Sequence, residues 1–187
     1  NLITESSGYF ENQSALMGND NASYPTIIDA TITENFTTAP LTMEWWMKNS
    51  KFDKDGAFWL FNIRNIRVTF FCMHECQEGN DHGRISVYIE ENSGSSPENG
   101  KLKFDEWTHF AIVRDENLFY SIYRNGVNIG SIQGNSLDFF SDPSPSIGEI
   151  GYGPYSNEGY AAGNLDEIRF WNYARTPEQI QQNLYRE

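Results

Sequence analysis

Cys72, His74, Cys76 and His82 form the densest group of soft donors in the chain, at Cys-x-His-x-Cys-x5-His spacing. Zn²⁺ accepts thiolate and imidazole donors in a tetrahedral site. Two extended residues four apart are too distant to share a bond, so any joint use of Cys72 and Cys76 requires the chain to turn between them. A small disulfide closing that turn is the favoured reading, and zinc or free thiols are the alternatives. Carboxylates offer less. A retaining glycosidase needs two of them about 5 Å apart across the scissile bond. No Glu-x-Asp occurs in the chain, and the nearest pairs, Asp53 with Asp55 and Glu90 with Glu91, fall in turn-like or strand-end contexts that suit solvated groups. A Gly-x-Ser-x-Gly elbow is missing, as is a phosphate-cradling glycine loop. The residue types therefore point to binding rather than turnover, and the chain reads as a non-enzyme.

For binding a sugar the requirement is an aromatic plate beside convergent amide and carboxylate groups, because C–H faces stack while hydroxyls need donors and acceptors. The stretch from Gly148 to Gly163 supplies Tyr152, Tyr155, Asn157, Glu158 and Tyr160 among glycines and a proline. A loop of that length rich in tyrosine suits a ligand edge. The alternative is that these rings cover an edge of the fold. Trp46 and Trp59 offer further plates if exposed, although Trp in a β core is commonly buried.

Elements that must position these groups are strands. The chain has 187 residues, which suits one all-β domain over 1–187 and allows a sizeable core. Aromatic residues make up 15%, and 26 acidic against 13 basic side chains give a net charge of −13. Such a balance argues against a nucleic-acid backbone or an anionic bilayer as partner, and it is compatible with neutral glycans and divalent cations. No run approaches the roughly 18 apolar residues of a membrane span. Asn12, Asn21 and Asn35 sit in Asn-x-Ser/Thr triplets, acceptors for glycan in a eukaryotic secreted protein or chance in an Asn- and Ser-rich chain.

Leu41 to Lys48 alternates, with Leu41, Met43, Trp45 and Met47 on one face and Thr42, Glu44, Trp46 and Lys48 on the other. The first set should enter the core. Gly56 to Arg64, Ile66 to Met73, Arg84 to Glu90, Thr108 to Arg114 and Leu118 to Arg124 read as further strands, cut by Gly-, Asn- and Pro-containing turns. Near the end Thr176 can cap a helix, Pro177 suits its first position, and Gln179 completes a capping box. Ile180 and Leu184, four apart, should pack back on the strands.

The run Gly163-Asn164-Leu165-Asp166-Glu167-Ile168-Arg169-Phe170-Trp171-Asn172, with the Tyr173-Ala174-Arg175-Thr176-Pro177-Glu178-Gln179-Ile180 that follows, resembles the closing strand and helix of laminin G-like and pentraxin-like sandwiches. These belong to the concanavalin A-like lectin superfamily. Trp107-Thr108-His109-Phe110-Ala111-Ile112-Val113-Arg114 resembles its Trp-x-His strand, and Ile122-Tyr123-Arg124-Asn125-Gly126 its Asn-Gly hairpin. Met17-Gly18-Asn19-Asp20-Asn21 is similar to its Gly-Asn-Asp loop, and Leu41 to Lys48 to its Phe-Thr-x-x-x-Trp strand, with Leu41 in place of Phe.

This resemblance implies a jelly-roll β-sandwich of two antiparallel sheets with a short C-terminal helix. By resemblance Asp166 matches the acidic residue that opens the last strand and helps hold a structural Ca²⁺ in laminarinase-like relatives. Asn19 and Asp20 are further candidate ligands, since calcium takes six to eight oxygens. The alternative is that Asp166 hydrogen-bonds backbone at the strand start. His109 matches a family position in a strand and reads as structural. The expected role is a carbohydrate-binding or adhesion module of an extracellular or cell-surface protein, its partner a glycan or a cell-surface or matrix protein. A structural or protein-binding domain of an adhesin, matrix protein or viral fibre is the alternative, and a glycan hydrolase or lyase is the third reading.

Overall fold

The computed structural model of the chain describes residues 4–5, 14–17, 40–49, 56–63, 66–72, 82–89, 93–95, 101–134, 146–147 and 163–184. In chain order the strands are β1 (Thr4–Glu5), β2 (Ser14–Met17), β3 (Leu41–Asn49), β4 (Gly56–Ile63), β5 (Ile66–Cys72), β6 (His82–Ile89) and β7 (Ser93–Ser95). They continue with β8 (Lys101–Lys103), β9 (Thr108–Arg114), β10 (Phe119–Arg124), β11 (Val127–Gln133), β12 (Ser146–Ile147) and β13 (Gly163–Trp171), before helix α1 (Pro177–Asn183). One antiparallel sheet runs β1-β2-β13-β3-β9-β10-β11; the other runs β12-β4-β5-β6-β7, with β8 also paired to β6. This is the expected jelly-roll sandwich with a short closing helix. The predicted strands fall where alternation and turn residues placed them, with ends shifted by one or two residues.

The period-2 pattern of β3 divides as its sequence demands. Leu41, Met43, Trp45 and Met47 join Ile66, Val68, Ile85, Val87, Ile89, Phe110, Ile112 and Tyr120 in the core between the sheets. Trp45 stacks on Phe110 with ring centroids 5.7 Å apart. The opposite face of β3 is also buried, which alternation alone does not anticipate. Thr42, Glu44 and Trp46 are covered, and β9 is buried along its whole length. The reason is a second small core outside the first sheet, where Ala111, Val113 and Tyr123 meet Ile180, with Ala174 packed against it.

Local chemistry holds the helix in that place. Thr176 Oγ1 accepts from Gln179 N at 3.3 Å and Gln179 Oε1 accepts from Thr176 N at 2.9 Å, the reciprocal capping box read in the sequence. The Asn125–Gly126 turn between β10 and β11 has positive φ at both residues, 48° and 75°, as a two-residue hairpin requires. Its Asn125 side chain also accepts from His109 N at 2.9 Å, tying the turn to β9. In β13 the register against β3 shifts between Asp166 and Arg169, and Glu167 takes the left-handed conformation there, with φ 51°.

Candidate functional site

The described residues hold two places where polar side chains converge. The first lies under the helix. Glu44, on the outer face of β3, is 1% exposed, and its Oε1 accepts from Arg175 Nη1 at 2.5 Å. Arg175 Nη2 donates to the Gln179 carbonyl at 2.5 Å, and its guanidinium lies 4.4 Å from the Trp171 ring centre. With its amide oxygen turned inward, Asn183 accepts from Nη2 at 2.8 Å and Nη1 at 3.2 Å. The Arg175 amide donates to Thr42 Oγ1 at 2.9 Å, and that hydroxyl donates to the Tyr173 carbonyl at 2.8 Å. His109, on β9, brings Nε2 to 3.6 Å from Glu44 Oε2 and sets its ring edge-on to Trp46 at 5.3 Å.

This Glu–His–Arg group has the residue types of acid–base machinery but not the access. Its carboxylate and imidazole are 1% and 4% exposed, so no substrate atom reaches the hydrogen-bond range that proton transfer needs. The guanidinium is held on several sides and pins the C-terminal segment to the sheet. Its role is structural.

The second place is the outer face of the second sheet. Ile66 and Val68 of β5, Ile85, Val87 and Ile89 of β6, and Leu102 of β8 point into the core. Alternation puts Arg67 and Thr69, Ser86 and Tyr88, and Lys101 and Lys103 on the opposite face. The β5–β6 register sets Arg67 opposite Tyr88 and Thr69 opposite Ser86. Thr69 and Ser86 are buried, forming a small polar floor, while Arg67 and Tyr88 are half-buried and Lys101 and Lys103 are exposed. Burial pushes the Tyr88 phenol above its ordinary value, and the Arg67 guanidinium partly offsets this. In backbone register Asn62 of β4 is the partner of Arg67, Trp59 that of Thr69, and Arg84 of β6 that of Lys101. At the same edge Arg124 Nη1 donates to the Lys101 carbonyl at 2.6 Å, and Lys103 Nζ sits 3.4 Å from Glu106 Oε1.

The described strands of this sheet carry Arg67, Arg84, Lys101 and Lys103 and no Asp or Glu. That sorting was available in the sequence. Acid-free strands in a chain of 26 acidic residues are the signal, but they mean something only once strands are assigned to sheets.

Of the residues singled out in the sequence, Tyr152, Tyr155, Asn157, Glu158 and Tyr160 lie outside the described residues, as do Asn19, Asp20 and Cys76. Cys72 is the last residue of β5, opposite Gly56. Asp166 is half-buried opposite Trp46, and its Oδ1 accepts from Glu167 N at 2.8 Å, the backbone bond that was the alternative to a metal role. The Glu167 carboxylate pairs with Arg169. Trp46 is buried against His109 and is not an exposed plate. Among the described residues, no helix is long and apolar enough to cross a membrane.

A laminin G family model, described as concanavalin A-like lectin/glucanases superfamily, matches residues 19–181. No curated protein sequence matches the chain. Among solved structures it is similar to the binding domain of Paraclostridial Mosquitocidal Protein 1, with TM-score 0.69 and 13% identity over 97% of this chain and 44% of that one. It is also similar to domain 4 of AbnA, a GH43 extracellular arabinanase from Geobacillus stearothermophilus solved with arabinotriose. There the TM-score is 0.54 and the identity 19%, over 95% of this chain and 92% of that one. A heptameric SAP-like pentraxin from Limulus polyphemus matches with TM-score 0.53 and 14% identity, over 77% of this chain and 69% of that one. The chain thus spans less than half of the mosquitocidal binding domain and nearly all of the arabinanase domain.

Proposed function

The chain belongs to the concanavalin A-like lectin/glucanases superfamily, and from that premise we propose that it is a non-catalytic carbohydrate-binding module of a larger extracellular protein. The observation that carries this reading is the outer face of the second sheet. There Arg67 and Tyr88 stand opposite each other over the Thr69–Ser86 floor. Donors, acceptors and a ring on one rigid sheet are what a sugar needs, and strands hold such groups more firmly than loops do. The full-length likeness to an arabinanase domain solved with arabinotriose supports the class. The tyrosine stretch around Tyr152, Tyr155 and Tyr160, with Asn157 and Glu158, is a proposed second contributor to the same ligand.

The test is calorimetry of the chain against a panel of neutral and acidic oligosaccharides. Saturable binding to any of them, weakened by Tyr88→Ala, supports the reading. Silence across the panel at millimolar ligand sinks it and moves the chain to the alternative, a protein-binding domain. The non-catalytic part of this reading is supported by the missing Glu-x-Asp pair and by the burial of the Glu44–His109–Arg175 group. Turnover of any bound glycan that disappears in Glu44→Gln, with the fold intact, would overturn it.

A structural Ca²⁺ beside Asp166 is a separate proposal. Asp166 is its candidate ligand among the described residues, and the remaining oxygens would come from elsewhere, Asn19 and Asp20 included. Chelation is expected to lower the melting temperature and added calcium to restore it. A melting curve that chelator leaves unmoved removes the metal.

A further inference from the structure

Strands β10 and β11 carry a ladder of uncharged side chains on the first sheet, on the outside of the sandwich. Residues directly opposite each other in an antiparallel pair share a face. The register sets Phe119 opposite Gln133, Ser121 opposite Ser131 and Tyr123 opposite Asn128. Tyr123 belongs to the small core under α1, whereas the alternate residues Tyr120 and Ile122 belong to the core between the sheets. Phe119, Ser121, Asn128, Ser131 and Gln133 therefore lie on the outer face. Helix α1 packs Ile180 against Tyr123 at one end of the ladder and leaves the rest open. Phe119 is 40% exposed, Asn128, Ser131 and Gln133 are exposed, and Ser121 is half-buried.

Both amides on this ladder are held through one atom and open at the other. Asn128 Oδ1 accepts from Gly130 N at 3.0 Å, which leaves Nδ2 without a partner among the described residues. Gln133 is fixed the other way round, with Nε2 donating to the Asn117 and Gly134 carbonyls at 2.9 and 2.8 Å and Oε1 left over. The ladder thus offers a fixed donor towards one end and a fixed acceptor at the other, and the hydroxyls of Ser121 and Ser131 between them can serve as either. Phe119 is set by its backbone. Its N–H donates to Asp115 Oδ1 at 2.9 Å, and Asn117 N donates to the same oxygen at 2.8 Å, so that carboxylate serves the turn. From Phe119 to Tyr123 the ladder runs about 13 Å at the rise of a strand, room for a short oligosaccharide.

We propose that this ladder is a binding subsite for an uncharged saccharide, separate from the face of the second sheet, with Phe119 as the stacking ring and Asn128 Nδ2 and Gln133 Oε1 as the groups that bind its hydroxyls. A single ring edged by hydroxyls and amides suits a sugar, whose C–H face stacks while its hydroxyls exchange hydrogen bonds. A protein partner would call instead for a contiguous apolar patch. Charge selects the class of sugar. Phe119, Ser121, Asn128, Ser131 and Gln133 are all uncharged, so an ionic ligand would give up hydration here without gaining a pair from them. Amides already tied to the backbone also lower the ordering cost of binding.

The experiment titrates the whole isotope-labelled chain with arabinotriose, cellotriose and maltotriose and follows its NMR signals. Saturable shifts of the Asn128 and Gln133 side-chain amides and of the Phe119 ring are expected with at least one of the three. Phe119→Ala should weaken that binding roughly tenfold, the scale of one stacked ring. Asn128→Asp keeps an oxygen for Gly130 N and removes the donor, and it should weaken binding about fivefold, the scale of one hydrogen bond. Val127→Ser alters a residue that is 61% exposed on the opposite face of the same hairpin and should change binding little.

Saccharide shifts confined to the Arg67–Tyr88 face, with the signals of residues 119–133 unmoved, overturn this inference and leave the carbohydrate-binding reading standing. Shifts on the ladder that survive both Phe119→Ala and Asn128→Asp also overturn it. Shifts of the same signals that grow with protein concentration in the absence of sugar assign the ladder to a second copy of the chain, which overturns it as well. No binding to any glycan overturns both readings.

Discussion

Arg175 Nη1 donates to Glu44 Oε1 at 2.5 Å across 131 residues of sequence, and both side chains are nearly solvent-free. A buried ion pair adds little net stability when intact, because desolvating both charges costs about what their attraction returns. Breaking it is another matter. Arg175→Ala leaves a buried carboxylate without its cation and should lower unfolding free energy by about 3–5 kcal/mol. Urea denaturation of Arg175→Ala and of Glu44→Leu/Arg175→Met compares the two cases. The double variant should recover most of the loss, and a double variant as unstable as the single one would show that the pair itself is the source of stability.

Gly126 is placed where a side chain has neither room nor a comfortable backbone. Its φ is 75°, and a Cβ there would lie 2.6 Å from Gln181 Cγ and 3.2 Å from Leu184 Cδ1. Gly126→Ala should cost about 1–2 kcal/mol from the left-handed backbone alone, plus whatever Gln181 must yield. Gln181→Ala in the same background should return only the steric part, because the conformation of residue 126 is unchanged. Equal stability of Gly126→Ala and the natural chain in thermal melts would contradict this.

Thr176 caps α1, and Thr176→Ala should destabilise the chain by about 1 kcal/mol. The same helix end carries a pH dependence. Glu178 is held below its ordinary value of 4.5 by its own backbone N–H and then by the Thr176 side chain, against a smaller effect of burial. A carboxyl lowered in the folded state adds stability that is complete above its unfolded value and lost as pH falls through the folded one. The helix should therefore loosen on acidification below about pH 4.5, and Thr176→Ala should move the Glu178 titration upward. Side-chain carboxyl chemical shifts followed through acid titration read both.

Tyr88 titrates in the opposite sense. Burial raises its phenol above 10.0, with Arg67 opposing. Its contribution to stability is present below pH 10 and is lost as pH rises through the folded value. Arg67→Gln should raise the phenol further, visible as a later ultraviolet transition in alkaline titration, and a shift downward would contradict the placement of Arg67 beside Tyr88.

Much of this architecture is legible in the sequence, and the residues explain where legibility stops. Leu41, Met43, Trp45 and Met47 alternate as a strand face must, and they are core. Thr176, Pro177 and Gln179 spell a helix start, and Asn125-Gly126 spells a hairpin, because each depends on neighbours in sequence. Glu44 looks like a solvent residue by the same alternation. Its burial depends on Arg175, which local pattern cannot connect to it. The basic face was hidden for a related reason: Arg67, Arg84 and Lys101 are ordinary single charges until β5, β6 and β8 are known to be neighbours.

Strand β13 runs between β2 and β3, so the first sheet has a gap in it until residues near the end of the described chain arrive. A nascent chain released in order from the ribosome would expose the facing edges of β2 and β3 until β13 emerges, with more than a hundred residues between β3 and its missing neighbour. Assembly of this sheet therefore waits on β13, slow in the manner of folds built from distant pairings. Loss of the last strand would leave two open sheet edges, the surfaces on which chains stick to one another.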